Sequence, residues 1–198
     1  MFYRPGQARV LFPYWPTGVE WFIVGGPADG NEAQTVVERY PGVKCAGFEP
    51  NLEYVRFQEE HGFPGLLYPC ALWDKNETLT FSLPTTLPRS GSVCRDLTGL
   101  STTTSEVPAR RLDSLLPPDL HDNLVLWLDV EHAEGAALRG AEGLLKQGKV
   151  LLLNVEVWDE TFEEIDKLLA SFGYAAVHTW GRTVRDKRDV VYSKVIPC

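Results

Sequence analysis

The chain has 198 residues, 44% of them hydrophobic and 23% charged, so it can bury one core but is too short for two ordinary domains and a linker. We therefore expect a single domain over residues 1–198, and this composition argues against disorder or a fibrous structure. A formal net charge of −8 argues against broad nucleic-acid binding, because Lys and Arg must replace the counterions of phosphates.

The sequence carries no signature of a membrane or secreted protein. Met1 is not followed by a basic stretch and a long apolar run, and no run of about eighteen apolar residues is present. Cys45 and Cys70 fall within apolar segments, and the cysteines lack the C-x-x-C spacing of zinc or dithiol redox sites. We therefore expect a cytoplasmic protein that does not bind a membrane.

The first part of the chain alternates predicted strands and helices. Residues 1–18, rich in Pro and aromatic side chains, are expected to form an irregular lead-in that can pack as a flap over the fold. The elements predicted next are a strand over Val19–Val24, a helix over Asn31–Tyr40, a strand over Val43–Phe48, a helix over Leu52–His61 and a strand over Gly65–Ala71. Such alternation predicts parallel strands joined by right-handed crossovers.

A less regular region occupies the middle of the chain. Leu79–Leu83 alternates polar and apolar residues, as an exposed strand does. Residues 84–105 are dominated by Ser, Thr, Pro and Gly without a period, so they are predicted to form a long loop. A loop of this length in a compact domain is usually either functional or disordered.

Regular patterns return in the last part of the chain. The predicted elements are a strand over Asn123–Val130, a helix over Ala133–Gln147, a strand over Val150–Val157, a helix over Thr161–Phe172, and an antiparallel pair formed by Tyr174–Trp180 and Asp189–Val195. The basic residues near the last turn are interpreted as a solvated loop between two strands; they are Arg182, Arg185, Lys187 and Arg188.

Candidate ligand-binding residues follow the first three strands of the predicted sheet, whose carboxyl ends form the usual binding edge of such folds. Gly26, Asp29 and Gly30 form a turn that opens a helix, where free N–H groups favour electron-rich ligand atoms. Glu49 follows the second strand, and a carboxylate there can accept hydrogen bonds from both hydroxyls of a ribose. Ala71-Leu72 follows the third strand with small groups and backbone amides where an adenine would lie.

An acidic group follows the next two strands: Asp129, Glu131 and Glu134 after one, and Glu156 at the end of the other. Crowded carboxylates repel one another, so they need a cation, a proton or a substrate amine nearby. They could hold a cofactor's methionine end, deprotonate a substrate hydroxyl or bind a divalent metal, which the sequence allows but does not predict. Glu134 also fits a helix-capping role, and His132 is a candidate general base, although a lone His is more often structural.

Taken in order, these motifs resemble the FkbM-type methyltransferases over roughly Trp21–Lys194. The matching segments are Gly26-Pro27-Ala28-Asp29-Gly30, Phe48-Glu49-Pro50-Asn51, Ala71-Leu72-Trp73-Asp74, Arg111-Leu112-Asp113-Ser114-Leu115, Leu128-Asp129-Val130-Glu131-His132-Ala133-Glu134, Leu138-Arg139-Gly140-Ala141, Val155-Glu156, Gly173-Tyr174 and Asp189-Val190-Val191-Tyr192. Each match is weak alone, and their shared order makes the resemblance specific.

The resemblance implies an α/β fold of the class I methyltransferase type, with a Rossmann-like, doubly wound, mostly parallel seven-stranded sheet that has one reversed strand. It also implies transfer of a methyl group from S-adenosylmethionine to a hydroxyl of a small molecule or sugar. The roles it implies are cofactor lining by Gly26 and Gly30, ribose binding by Glu49, an adenine border at Ala71 and Leu72, and a place facing the reacting centre for Asp129.

Some positions depart from the family pattern. Val24 stands where the family usually has Asp and Ala28 where it has Asn, with Asp29 as a neighbouring acid that can compensate. Trp127 replaces a common Lys and His132 a common Gly. Val24 and Ala28 keep open a methyltransferase-like binding module without catalysis, whereas Trp127 and His132 bear on whether the family's usual substrate is used.

A nicotinamide-dependent oxidoreductase would share the glycine turn and Glu49. The Tyr-x-x-x-Lys motif of this chain, Tyr40 to Lys44, falls in a turn between a helix and a strand, which is the wrong place for hydride transfer.

For methyl transfer, we expect Asp129, or His132 beside it, to take the proton of the acceptor, with Glu131 as a third catalytic candidate. The 84–105 loop is expected to close over the acceptor, through Arg89 and Arg95. The sequence leaves the acceptor's identity and the oligomeric state open.

Overall fold

A seven-stranded sheet forms the centre of the molecule in a computed structural model that describes residues 7–85, 91–93, 101–115, 123–181 and 187–195. Its strands, in chain order, are β1 (Trp21–Gly25), β2 (Lys44–Phe48), β3 (Leu66–Tyr68), β7 (Leu124–Leu128), β8 (Val150–Trp158), β9 (Tyr174–Trp180) and β10 (Lys187–Lys194). The order across the sheet is β3-β2-β1-β7-β8-β10-β9. All neighbours pair in parallel except β10, which is antiparallel to both β8 and β9. The expected doubly wound sheet with one reversed strand is confirmed.

The central strands are apolar along their whole length because both faces of the sheet are covered. Every residue of β1 and of β7 is buried, which is typical of parallel strands between two layers. One face carries a core that includes Ile23, Leu126 and Leu138, and the other carries a core that includes Phe22 and Val36. The carboxyl ends of these strands therefore meet at one edge of a rigid support.

Helices cover the two faces of the sheet. They are α1 (Asn31–Arg39), α2 (Leu52–His61), α3 (Leu112–Leu115), α4 (Glu134–Gly140), α5 (Glu142–Lys146) and α6 (Asp159–Ser171). Asn51 starts α2 by accepting a hydrogen bond from the N–H of Glu53 at 3.0 Å, which satisfies one of the free donors of the first turn. None of the helices in the described ranges is long and apolar enough to cross a membrane.

The prediction for the amino-terminal lead-in needs correction. The lead-in expected to be irregular over residues 1–18 contains a 3-10 helix, Gln7–Tyr14, while residues 1–6 lie outside the described ones. Ala8 and Leu11 of this helix are fully buried and belong to the core that also holds Val36 of α1. Their burial packs the segment over the fold, as the flap interpretation of the lead-in expected, while its helical conformation was not predicted.

The single strand predicted over Gly65–Ala71 is also wrong, because it divides into β3 and a second strand, β4 (Ala71–Leu72), that belongs to another sheet. Pro69 lies between them and has no N–H for a ladder, so it is the residue that signals the break.

A small three-stranded sheet accounts for the middle of the chain. It has the order β4-β6-β5, with β5 spanning Glu77–Pro84 and β6 spanning Thr102–Arg110. The long loop predicted over 84–105 is therefore shorter, since Pro84 and Thr102–Ser105 pair across this antiparallel hairpin. Arg89 and Arg95, expected to contact the acceptor, lie outside the described residues.

The helix predicted over Ala133–Gln147 is interrupted. It consists of α4 and α5, which meet at Ala141. A Cβ on Gly140 would lie 2.0 Å from the carbonyl oxygen of Trp73, so this glycine allows the segment after β4 to pass against the end of α4.

Candidate active site

The turn after β1 and the end of β7 are in direct contact at the carboxyl edge of the sheet. The N–H of Gly26 donates to the carbonyl of Phe48 at 3.0 Å, and the N–H of Asp129 donates to the carbonyl of Gly25 at 3.1 Å. A Cβ on Gly26 would lie 2.0 Å from the carbonyl oxygen of Asp129, and its φ is +74°. A residue without a side chain is therefore required where these two segments meet.

Glu49 is held by the backbone of two segments. Its Oε2 accepts from the N–H of Ala28 at 3.1 Å, and its Oε1 accepts from the N–H of Asn51 at 2.8 Å. Only 5% of the residue is exposed, and burial raises the pKa of its carboxyl to about 7, with a smaller contribution from the charge of Asp129 and opposition from the two N–H bonds. The end of β2 is thereby tied to the glycine turn.

A cavity of about 460 Å³ lies at this edge of the sheet. It is lined by seven residues that the sequence singled out: Gly26, Asp29, Glu49, Ala71, Leu72, Asp129 and Glu131. Aromatic side chains from four elements complete it: Phe48, Tyr54, Phe81 and Trp127. The volume is in the range of small-molecule sites.

Two of the predicted site residues are placed elsewhere. Gly30, with φ +78°, precedes α1 and lines a second cavity with Gln58 and Phe63. His132 stacks on the ring of Trp158, with centroids 4.0 Å apart, and its Nδ1 lies 3.7 Å from Oε1 of Glu160.

The acidic group is assembled from two segments, the loop after β7 and the strand β8, as the strand order predicted. One carboxylate oxygen from each of Asp129, Glu131 and Glu156 lies within 4.8 Å of the other two. Burial is the main reason that the pKa of Asp129 is raised, and burial followed by the charge of Asp129 raises that of Glu156. These carboxyls therefore hold protons at a higher pH than ordinary acids.

Lys187 is the functional residue that sequence reasoning missed. Its predicted place in a solvated loop is wrong, because it is the first residue of β10 and lines the cavity. Its Nζ lies 2.6 Å from Oε1 of Glu156 and 4.0 Å from Oε1 of Glu131. Burial lowers the pKa of Lys187, but the surrounding carboxylates outweigh this effect and raise it. The lysine therefore stays charged beside the acids.

The loop after β7 adopts an unusual backbone conformation. Glu131 has φ 51° and His132 has φ 76°, backbone angles that residues other than Gly rarely adopt. His132 stands at the position where FkbM-type sequences commonly have Gly. Two contacts hold the loop: the Ser92 hydroxyl donates to the carbonyl of Glu131 at 2.5 Å, and Glu134 accepts from the N–H of Val130 at 3.0 Å. The segment 91–93 thereby fixes this wall of the cavity.

Glu134 lies in the first turn of α4, where its predicted capping role places it, and its carboxyl also holds the loop by accepting from the N–H of Val130. It is 1% exposed, and burial raises the pKa of its carboxyl to about 8.

The strand order, with β10 reversed beside β9, gives the protein the Rossmann-like fold of the class I methyltransferases. Solved structures of similar fold include the B. subtilis tRNA methyltransferase TrmK (12% identity, TM-score 0.54, covering 97% of this chain and 67% of that one). A TehB-like SAM-dependent methyltransferase from Corynebacterium glutamicum is 10% identical with a TM-score of 0.53, covering 96% of this chain and 88% of that one. A precorrin-6y C5,15-methyltransferase from Geobacter metallireducens is 12% identical with a TM-score of 0.50, covering 94% and 88%.

The particular family follows from the sequence. The chain belongs to the methyltransferase FkbM domain family, whose sequence profile matches residues 26–176, and it is a methyltransferase dependent on S-adenosylmethionine. The expected family is thereby confirmed. No curated protein sequence matches the chain significantly.

The residues present fit the cofactor that family and fold imply. The turn at Gly26 presents backbone without side chains, Glu49 offers carboxylate oxygens at the end of β2, and Asp129 and Glu131 place negative charge on the same cavity wall. A sulfonium group is a cation, so the acidic wall suits it.

Proposed function

We propose that the protein methylates a hydroxyl oxygen of a small molecule or sugar, and that Asp129 accepts the proton of that hydroxyl. When bound, the cofactor supplies an electrophilic methyl group on a positively charged sulfur. The chain's own residues therefore have to align the acceptor oxygen, exclude water and hold the proton.

Four positions are proposed to hold the cofactor. Gly26 allows backbone to approach it, Glu49 binds the ribose hydroxyls, and Ala71 and Leu72 border the adenine. Support for Glu49 comes from its two backbone hydrogen bonds, which fix the carboxylate and leave each oxygen with a second lone pair for a ligand. Asp29 adds a nearby acid at the cavity wall.

The observation that carries the proposal is the position and state of Asp129. This carboxyl lines the cavity at the contact between β1 and β7, and burial raises its pKa above that of an ordinary Asp. A base whose pKa is closer to the working pH accepts a proton from a hydroxyl more readily. His132 is a weaker candidate because its ring stacks on Trp158. Glu131 remains a candidate at the same wall.

A small acceptor is favoured over a nucleic acid. The cavity wall is acidic and the net charge is −8, both of which disfavour a polyphosphate backbone. The tRNA substrate named for the B. subtilis neighbour is therefore included as a test and not as the expectation. A reducing compartment such as the cytoplasm suits the buried free thiols of Cys45 and Cys70.

Two measurements test the proposal. Calorimetric titration with S-adenosylhomocysteine should give a heat of binding, while NAD⁺, the cofactor of the oxidoreductase alternative, should give none. Radiolabelled methyl groups should then appear on members of a panel of sugars and small-molecule alcohols.

Label on tRNA alone would overturn the acceptor class. Absence of any heat with S-adenosylhomocysteine would favour a binding module without catalysis, for which Val24 and Ala28 in the first motif are the specific grounds.

A further inference from the structure

A lysine lies beside the acids of the cavity wall, on a strand that runs in the direction opposite to the other strands of the sheet. β10 runs antiparallel to β8, so its first residue, Lys187, lies opposite Trp158 at the edge where the parallel strands end. Among the described residues that line the cavity, Lys187 is the single basic side chain. The reversed strand therefore delivers one positive charge to the carboxyl edge.

We propose that Lys187 is the built-in counter-cation of Asp129, Glu131 and Glu156, seated where a divalent metal would otherwise be bound, and that the site works without a metal. Lys187 is in this view a positioning residue that keeps the acids together at the cavity wall. The pairing of Lys187 with the acids can be tested without methyl transfer. Only the use of these acids in catalysis rests on the proposed function.

The distances support this assignment. Three carboxylate oxygens within 4.8 Å of one another form a cluster that hard cations bind, but the ammonium of Lys187 contacts one of them at 2.6 Å and approaches another at 4.0 Å. An ammonium has three donors and one charge, so it can serve several carboxylates at once. Lys187 thereby occupies the position that satisfies the cluster.

The setting of Lys187 differs from that of ordinary surface lysines. Its side chain is 32% exposed and Nζ lies 5.3 Å from the centroid of the Trp158 ring, whereas Lys146 and Lys167 pair with acids of their own helix and are 61% and 76% exposed. Pairing with Trp158 of β8 also fixes the backbone of Lys187. Its contact with Glu156 is thus part of the fold and not a mobile surface pair.

A buried atom indicates that the acids need the lysine. Oε2 of Glu156 is buried and has no hydrogen-bond donor among the described residues, and the residue is 5% exposed. The other oxygen, Oε1, contacts Lys187 at 2.6 Å, and the neighbouring acids Asp129 and Glu131 add further negative charge. Removal of the lysine would leave the buried carboxyl of Glu156 without the ammonium that contacts it, which is strongly unfavourable unless another cation enters.

The test measures metal binding to the apoprotein, with Mn²⁺ alone as the probe and titration calorimetry as the readout. Lys187→Ala should bind Mn²⁺ at least about tenfold more tightly than the native protein, and Mn²⁺ should restore the thermal stability that the substitution removes. Lys187→Arg, which keeps the charge, and Lys146→Ala, which removes an exposed lysine, should both behave like the native protein.

Two outcomes would overturn the proposal. If the native protein bound Mn²⁺ as tightly as Lys187→Ala, the acids would be a metal site in which the lysine is incidental. If Lys187→Ala stayed folded and gained no affinity for Mn²⁺, the lysine would be an ordinary ion pair.

A double variant covers the case in which Lys187→Ala fails to fold. Lys187→Ala with Glu156→Gln removes one positive and one negative charge together, so it should regain stability and show no Mn²⁺ binding. A double variant no more stable than Lys187→Ala would mean that the lysine acts by packing, and the proposal would be wrong. Titration of the native protein with S-adenosylhomocysteine is scored separately, because a failure there counts against the proposed function and leaves the Mn²⁺ result unchanged.

Discussion

The carboxylates of the site form two groups on either side of β1, called here its two ends: Glu49 after β2, and Asp129 and Glu156 at β7 and β8. The two ends hold their carboxylates in different ways. At the first end, Glu49 receives two N–H groups from the backbone of neighbouring segments. At the second end, Asp129 and Glu156 lie close together, and Glu156 contacts the side chain of Lys187, which comes from a distant part of the chain. A carboxylate held by backbone is fixed once the fold forms, whereas acids held by side chains can exchange protons and partners. The first arrangement suits ligand binding, and the second suits chemistry on a proton.

The largest expected effect comes from a steric clash at Gly26, where the segments that carry the two ends touch. Gly26→Ala would place a Cβ 2.0 Å from the Asp129 carbonyl oxygen at a backbone φ of +74°. We expect it to lower the free energy of unfolding by about 3 to 5 kcal/mol, or to prevent folding. Urea denaturation measures this change. Gly42→Ala, where no atom lies within 4 Å of the new Cβ, is the matched control and should change little.

The next effect is the dependence of stability on pH. Burial raises the pKa of Glu49 to about 7 and that of Glu134 to about 8, from an ordinary value of 4.5. The folded state therefore binds more protons than the unfolded state above pH 4.5, so stability is greatest at low pH and is lost as pH rises towards 8. We expect the unfolding free energy of the apoprotein to fall by at least about 2 kcal/mol between pH 5 and pH 8.

Denaturation at several pH values provides the measurement, and Glu134→Gln should flatten the profile because its amide does not titrate in this range. A profile that rises over the same range would show that these carboxyls are not protonated in the folded state.

The third effect is a loss of ligand affinity that is expected only from the end that holds Glu49. Glu49→Gln removes the charge and replaces one acceptor oxygen, so its affinity for S-adenosylhomocysteine should fall by about tenfold or more. Calorimetry gives the dissociation constants. Glu53→Gln, an exposed position in the same region, should bind the ligand as the native protein does. Equal losses in both variants would mean that Glu49 has no specific contact with the ligand.

The smallest effect tests strain at the first end. Ala28 has φ 42°, and both of its backbone hydrogen bonds, to Glu49 and Gln58, are independent of its side chain. Ala28→Gly should therefore stabilise the protein by about 1 kcal/mol and leave ligand affinity unchanged. Thermal denaturation is sensitive enough to detect this change, and a lower melting temperature would argue against strain.

The sequence predicted the features that depend on local pattern and on strand order. Periodic apolar runs gave the central strands, and α2 was predicted with the bounds found, Leu52–His61, because Asn51 and Gly62 mark its ends. The meeting of Gly26, Glu49 and Asp129 followed from the rule that carboxyl ends of parallel strands share an edge. Neither conclusion needed long-range contacts to be known.

Other features depend on contacts between distant segments and left weak signals. β6 was missed because most of its residues are exposed, so Val107 and Ala109 alone show the alternation of a half-buried strand. Lys187 was assigned to a loop because nothing in a basic run distinguishes a solvated residue from one that enters a cavity. Its role becomes visible only when β10 is known to lie beside β8 in the reversed direction.

The direction of β10 also sets an order of assembly during synthesis. Gly26, Glu49, Asp129 and Glu156 all leave the ribosome before Lys187, and β10 must then enter between β8 and β9. Val190 and Tyr192 of β10 are fully buried in one core and Val191 in the other, so the acids receive their lysine in the same step that completes both faces of the sheet. A chain cut before β10 would therefore lose part of both cores together with Lys187.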